Sequence, residues 1–124
     1  MAKVLIVDDA SIQISLIKRD LAGLGLEFLE DENGEVALDI LDKNPDIKVI
    51  LSDLMMPKMN GLEMVEKLNQ EISDVSQRPV VFIISAESEP DLIKESKRLG
   101  VKAWINKPHN KEKLAMIVSR FTKK

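Results

Sequence analysis

The chain has 124 residues, 44% apolar and 31% charged, with 18 basic and 21 acidic side chains for a net charge of −3. These totals suit a single globular domain, 1–124, and argue against a dedicated nucleic-acid or membrane-surface binder. The absence of cysteine excludes disulfides and thiolate chemistry, and one histidine, His109, excludes a metal site built on several imidazoles. The N-terminus, MAKVLIVDD, is too short in apolar residues for a secretory signal, and no stretch approaches the roughly 20 apolar residues of a membrane span. A cytoplasmic protein is expected.

KVLIV, residues 3–7, is a continuous β-branched-rich run, the pattern of a strand buried on both faces. It finishes in Asp8-Asp9, two like charges with no basic partner nearby in the chain. Either the strand ends in water and the acids cap the next helix, or something positive sits between them. Residues 11–23 place Ile14, Ile17, Leu21 and Leu24 at helical spacing behind Ser11, a cap candidate, with Gly23 or Gly25 as the stop. LEFLE (26–30) alternates as a strand near a sheet edge would. Residues 35–43 repeat the helical pattern with Val36, Ala37, Ile40 and Leu41, and stop at Asn44-Pro45. IKVILS (47–52) is a second buried strand and leads into Asp53. Leu62, Val65, Leu68 and Ile72 mark a helix over 62–72, followed by a polar stretch at 73–78. PVVFIIS (79–85) is a third buried strand. Residues 88–100 carry Ser88 and Asp91 at capping-box spacing, Pro90 in the first turn and Gly100 as a stop. KAWIN (102–106) reads as another edge strand. Asn110 caps a last helix with the stripe Leu114, Ile117, Val118 and Phe121.

Five strands alternate strictly with five helices. This pattern predicts an α/β, doubly wound (βα)5 flavodoxin-like fold, a five-stranded parallel sheet with helices on both faces. Ligands of such sheets bind outside the carboxyl ends of the strands. Those ends carry Asp8 and Asp9, Ser52 and Asp53, Ser85 and Ala86, and Asn106, Lys107 and Pro108. Three acids, a hydroxyl and an amine therefore meet on one rim. Three carboxylates this close need a cation, and an all-oxygen set favours a hard one: Mg²⁺, or Mn²⁺ or Ca²⁺. Such a metal beside a carboxylate nucleophile, a lysine and a hydroxyl suits phosphoryl chemistry through an acyl phosphate.

VDDAS after the first strand, SDLMMPKMNGLEM at 52–64, IISAES at 83–88 and the Lys107-Pro108 pair resemble the receiver domain of two-component response regulators, across essentially the whole chain. The resemblance implies that Asp53 is the phosphoacceptor, charged by a sensor histidine kinase or a histidine phosphotransfer protein, with Mg²⁺ as cofactor and Mn²⁺ as a possible substitute. It implies that Asp9 binds the metal directly, Asp8 mostly through water, and the Met55 backbone carbonyl as a further ligand alongside Asp53. Lys107 would contact the phosphoryl group across a cis Lys107-Pro108 bond, Ser85 would move toward a phosphoryl oxygen, and Trp104 would hold the switch position. Plainer alternatives are Asp8 and Asp9 as solvated turn acids, Asp53 as a turn former, Ser85 as a cap of the fourth helix, Trp104 as edge-strand packing, and Met55, Met56, Met59 and Met64 as core and loop packing.

Departures from the family pattern stand out at Asp31, His109 and Met55. Asp31, where a small residue is common, adds a fourth acid if it points at the rim. His109, where an apolar residue usually follows the Lys-Pro pair, is expected at the surface with no catalytic part. Met55, two residues after Asp53, could shield an acyl phosphate from water, whereas Glu87 could orient water toward it.

The resemblance further implies a stand-alone, CheY-like signalling switch, of chemotaxis or motility type, that is not a turnover enzyme. Its partner-binding face would be the fourth helix, fifth strand and fifth helix, with Lys94, Lys97, Arg98 and Lys102 on it. A downstream protein target, no direct nucleic-acid or membrane binding, and a monomer or phosphorylation-dependent dimer complete that expectation. The alternatives are a receiver cut from a longer regulator with a DNA-binding or enzymatic output domain, a degenerate docking module, and a Mg²⁺-dependent aspartyl-phosphate phosphatase. The last wants an acid at the position of Met55.

Overall fold

A computed structural model describes residues 1–122. Continuous apolar runs form the strands β1 (Lys3–Val7), β3 (Ile47–Asp53) and β4 (Val80–Ser85), and the more alternating segments form β2 (Glu27–Asp31) and β5 (Ala103–Asn106). All pairings are parallel, in the order β2-β1-β3-β4-β5, so the two alternating strands are indeed the edges. The helices are α1 (Ser11–Leu21), α2 (Gly34–Lys43), α3 (Gly61–Glu71), α4 (Pro90–Arg98) and α5 (Lys111–Thr122), with short 3₁₀ turns at Ala22–Leu24 and Val75–Gln77. Among the described residues no helix is long and apolar enough to cross a membrane.

Because successive side chains of a strand point to opposite faces, each central strand feeds two cores. Leu5, Val7, Ile50 and Ile83 pack with Leu41 of α2 and Met64 and Leu68 of α3. Val4, Ile6, Leu51, Phe82 and Ile84 pack on the other face with Ile14, Ile17 and Leu21 of α1 and Leu114 and Val118 of α5. The order of strands reverses between β1 and β3, and the register aligns Val7 with Ser52 and Ser85 with Asn106. The carboxyl ends of β1, β3, β4 and β5 therefore open onto one crevice at the switch point.

Side-chain caps start three helices. Asn33 accepts from the Val36 amide, Asn110 from the Lys113 amide, and Asn60 forms a reciprocal capping box with Glu63. Two expected caps are not made. Ser11 lies inside α1, whose N-cap is Ala10 without a side-chain bond; the neighbouring Asp8 carboxylate instead accepts from the Ala10 amide at 2.9 Å. At α4 the N-cap is Glu89, so the box between Ser88 and Asp91 does not form, and Pro90 at the first position sets the turn. Leu24 falls in the 3₁₀ turn beyond α1 and Val36 faces solvent, so neither joins its predicted stripe. Gly25, at φ 66°, takes the left-handed turn that ends this segment.

The Asn60 box holds the start of α3, the helix that follows the Asp53 loop. Replacing Asn60 by Ala is expected to lower unfolding free energy by about 1 kcal/mol, read from denaturant midpoints at unchanged slope.

Candidate functional site

Asp8 and Asp53 are both buried, whereas Asp9 faces solvent. One carboxylate oxygen from each of these three acids lies within 4.8 Å of the others. The predicted convergence of β1 and β3 is therefore real at side-chain level. The basic partner that the local sequence lacks comes from 99 residues away: Lys107 Nζ sits 3.2 Å from Asp8 Oδ2 and 3.3 Å from Asp53 Oδ1. Lys107 is in turn fixed by its backbone amide, which donates to the Ser85 carbonyl at 2.9 Å, and the Lys107-Pro108 bond is cis.

One lysine cannot neutralise three carboxylates. Burial pushes the Asp53 carboxyl above its ordinary 3.8, the Asp8 charge pushes it further, and Lys107 only partly offsets both. Such residual repulsion among hard oxygen donors is what a divalent cation relieves, so the donor set fits Mg²⁺ or a similar ion. Asp31 does not join this group. Its carboxylate accepts from the Glu32 amide, and the fourth acid expected at the rim is absent from the cluster.

The loop after β3 contains a position that sequence reasoning passed over. Gly61 donates its amide to the Leu54 carbonyl at 2.8 Å, and a Cβ there would stand 2.6 Å from the Asp53 carbonyl oxygen. Only glycine lets α3 start this close to Asp53. The Asn-Gly dipeptide ahead of an amphipathic run was the available signal. Met55 is 63% exposed beside the site, while Met59 and Met64 are core residues.

Ser85 is buried and does not cap α4; its hydroxyl accepts from the Glu87 amide at 2.9 Å. The Glu87 carbonyl accepts from the Trp104 indole at 2.9 Å. One residue of the loop between β4 and α4 thus holds both Ser85 and Trp104, which makes plain edge packing an incomplete account of Trp104. On the expected partner face, Lys94, Lys97, Arg98 and Lys102 are all exposed; Arg98 pairs with Glu95, and Lys102 lies over the Phe121 ring.

His109 is not a surface residue. Its side chain is 5% exposed and its Nε2 lies 2.7 Å from Asp20 Oδ2. The signal was Asp20 itself, an acid three residues after Ile17 on the apolar stripe of α1.

Comparison with known proteins agrees with this geometry. A family model described as response regulator receiver domain matches residues 4–119. The chemotaxis protein CheY homolog of Campylobacter jejuni is 39% identical over 117 residues, 90% of this chain and 88% of that one. The transcriptional regulatory protein CpxR of Escherichia coli is 36% identical over 92% of this chain but only 46% of its own length. Among solved structures, Vibrio cholerae chemotaxis protein CheY4 superposes with a TM-score of 0.83 at 33% identity, covering 98% of both chains.

Proposed function

The chain belongs to the response regulator receiver domain family, a family of signalling switches, and from that membership we propose that Asp53 accepts a phosphoryl group from a phosphohistidine donor. The observation that carries this reading is Lys107 Nζ held between Asp8 and Asp53, beside three acids drawn to one point. In the transfer, an Asp53 carboxylate oxygen attacks phosphorus while the bond to the donor imidazole nitrogen breaks; the imidazole retains that electron pair. Lys107 places its positive charge where the phosphoryl oxygens arrive. A bound Mg²⁺ supplies charge neutralisation between the acids and the incoming phosphoryl oxygens.

Asp9 is the direct metal ligand in this reading. It is exposed, and among the described residues its carboxylate has no hydrogen-bond partner, whereas Asp8 is already engaged by Ala10 and Lys107. Asp8 then acts mostly through water, and the Met55 carbonyl completes the protein ligands. Ser85, turning toward the phosphoryl group, would release the Glu87 amide, and the same residue's carbonyl holds Trp104. Phosphorylation would thereby reach the face formed by α4, β5 and α5, where a downstream protein binds. The CheY-type relatives, matched over most of their own length, favour a chemotaxis-type, stand-alone receiver of one domain; that it acts in the cytoplasm, as a monomer or phosphorylation-dependent dimer, is part of the same proposal. The CpxR match over less than half of that protein favours the second reading, the receiver of a longer regulator.

Incubation with a small acyl phosphate and Mg²⁺, followed by intact-mass and peptide analysis, tests the proposal. Phosphate on Asp53 that fails to form when a chelator is present from the start is expected; no adduct, or one at another residue, would overturn it. Decay of the labelled protein then addresses Met55. Met55→Asn is expected to lose its phosphoryl group severalfold faster than the wild type, because a polar side chain replaces an apolar one beside the acyl phosphate. Equal decay rates would remove the shielding role.

A further inference from the structure

His109 and Asp20 form a buried hydrogen-bonded pair that the phosphoacceptor chemistry does not itself use. Their side chains are 5% and 6% exposed, they stand 89 residues apart in sequence, and His109 is the chain's single histidine. Burying such a pair is costly, and two apolar side chains of matching volume would serve stability as well. What a charge-assisted hydrogen bond adds is direction. Asp20 is held as an acceptor here. Burial alone would raise its carboxyl, but hydrogen bonds from His109 and Arg19 outweigh burial and keep it below its ordinary 3.8. Arg19 reaches the other carboxylate oxygen at 3.2 Å, leaving Oδ2 to the imidazole.

The position of the pair matters more than its strength. Asp20 belongs to α1, the helix that starts directly behind Asp8 and Asp9. His109 lies two residues past Lys107, in the segment between β5 and α5. The contact therefore braces the segment that presents the amine against the helix that follows the acids. From the other side, the Lys107 amide is anchored on the Ser85 carbonyl. These two ties hold the Lys107 backbone where its Nζ lies 3.2 Å from Asp8 and 3.3 Å from Asp53.

We propose that the Asp20–His109 pair is a positioning device for Lys107, fixing residues 107–109 so that the Lys107 amine meets the phosphoryl group arriving at Asp53. This rests on the phosphoacceptor reading above. Neither residue touches the reacting atoms, so both act through Lys107.

The test compares the full chain with Asp20→Leu, His109→Phe and the double variant. Asp53 labelling is followed with a small acyl phosphate and saturating Mg²⁺, and Mg²⁺ affinity is measured without phosphodonor from the fluorescence of Trp104. Each single variant is expected to label about tenfold more slowly, since small misplacements of a catalytic group are amplified in rate. Mg²⁺ affinity should not fall, because Lys107 lends the metal no ligand and, once drawn away from Asp8 and Asp53, leaves their charge to the ion. The double variant should be no slower than either single one, because both changes break one contact. Wild-type labelling matched by the single variants would overturn the inference alone. So would a rate loss paralleled by lost Mg²⁺ affinity, or a double variant slowed by the product of the single effects. A wild type that does not label overturns the phosphoacceptor reading itself and this inference with it. Should His109→Phe not fold, His109→Asn, whose shorter side chain withdraws from Asp20, carries the same expectation.

Discussion

Asp53→Asn is expected to lose phosphoryl labelling altogether and, at pH 7, to melt a few degrees above the wild type. The first effect follows from chemistry: the amide oxygen and nitrogen lack the carboxylate's charge and nucleophilicity, and no other carboxylate stands in its place at the end of β3. The second follows from electrostatics. Asp53 has its carboxyl raised above 3.8 by burial and then by Asp8, with Lys107 compensating only in part. A carboxyl whose folded pKa exceeds its unfolded value binds its proton more tightly when folded. The stability it contributes is present below 3.8 and is lost as pH rises through the folded value, so the anion is a net cost at neutral pH. The neutral amide removes that cost, and a modest gain moves the midpoint of a domain this size by degrees. The advantage should shrink as pH falls toward 3.8, which calorimetry at neutral and acid pH will read. An Asp53→Asn protein melting below the wild type at pH 7 would mean that the Lys107 attraction outweighs the repulsion from Asp8.

Asp9→Ala is expected to weaken Mg²⁺ binding by about tenfold or more, given that even outer partners of metal ligands typically cost about 10–100-fold when removed. Most labelling should go with it, while the fold stays intact. The separation is possible because Asp9 is exposed at the end of β1 and supports no packing, whereas Asp8 beside it is 2% exposed and holds both the Ala10 amide and Lys107. Titration of Mg²⁺ against Trp104 fluorescence, with a thermal melt of the same sample, checks both halves. Full labelling by the variant at ordinary Mg²⁺ concentrations would move the direct ligand from Asp9 to Asp8.

Much of this site was legible from local pattern. Asp8, Asp9, Asp53, Ser85 and Lys107 each follow an apolar run, and in a parallel sheet every such end faces the same way. Their arrival at one crevice needed no knowledge of contacts. Misreadings clustered where a choice depends on neighbours distant in sequence. Ser11 and Ser88 are reasonable caps in isolation, yet the Asp8 carboxylate supports the start of α1, and Pro90 sets that of α4. Asp31 stands at a strand end like the other acids, but its carboxylate turns to the Glu32 amide. Gly61 escaped notice because its role is a clearance from Asp53, which no spacing in the sequence expresses.

His109 shows the same boundary most sharply. A lone histidine in a polar stretch reads as solvated, and an acid on the stripe of α1 reads as an interruption; each explains the other only once β5 and α1 have packed. Hydrophobic period and turn chemistry are properties of short segments, so the strands, the helices, their parallel order and the acid-lined rim could be read along the chain. Lys107 against Asp8, Glu87 against Trp104, and Asp20 against His109 are contacts across 17 to 99 residues. They depend on strand register and side-chain rotamers, which exist only after the two cores have closed on either face of the sheet.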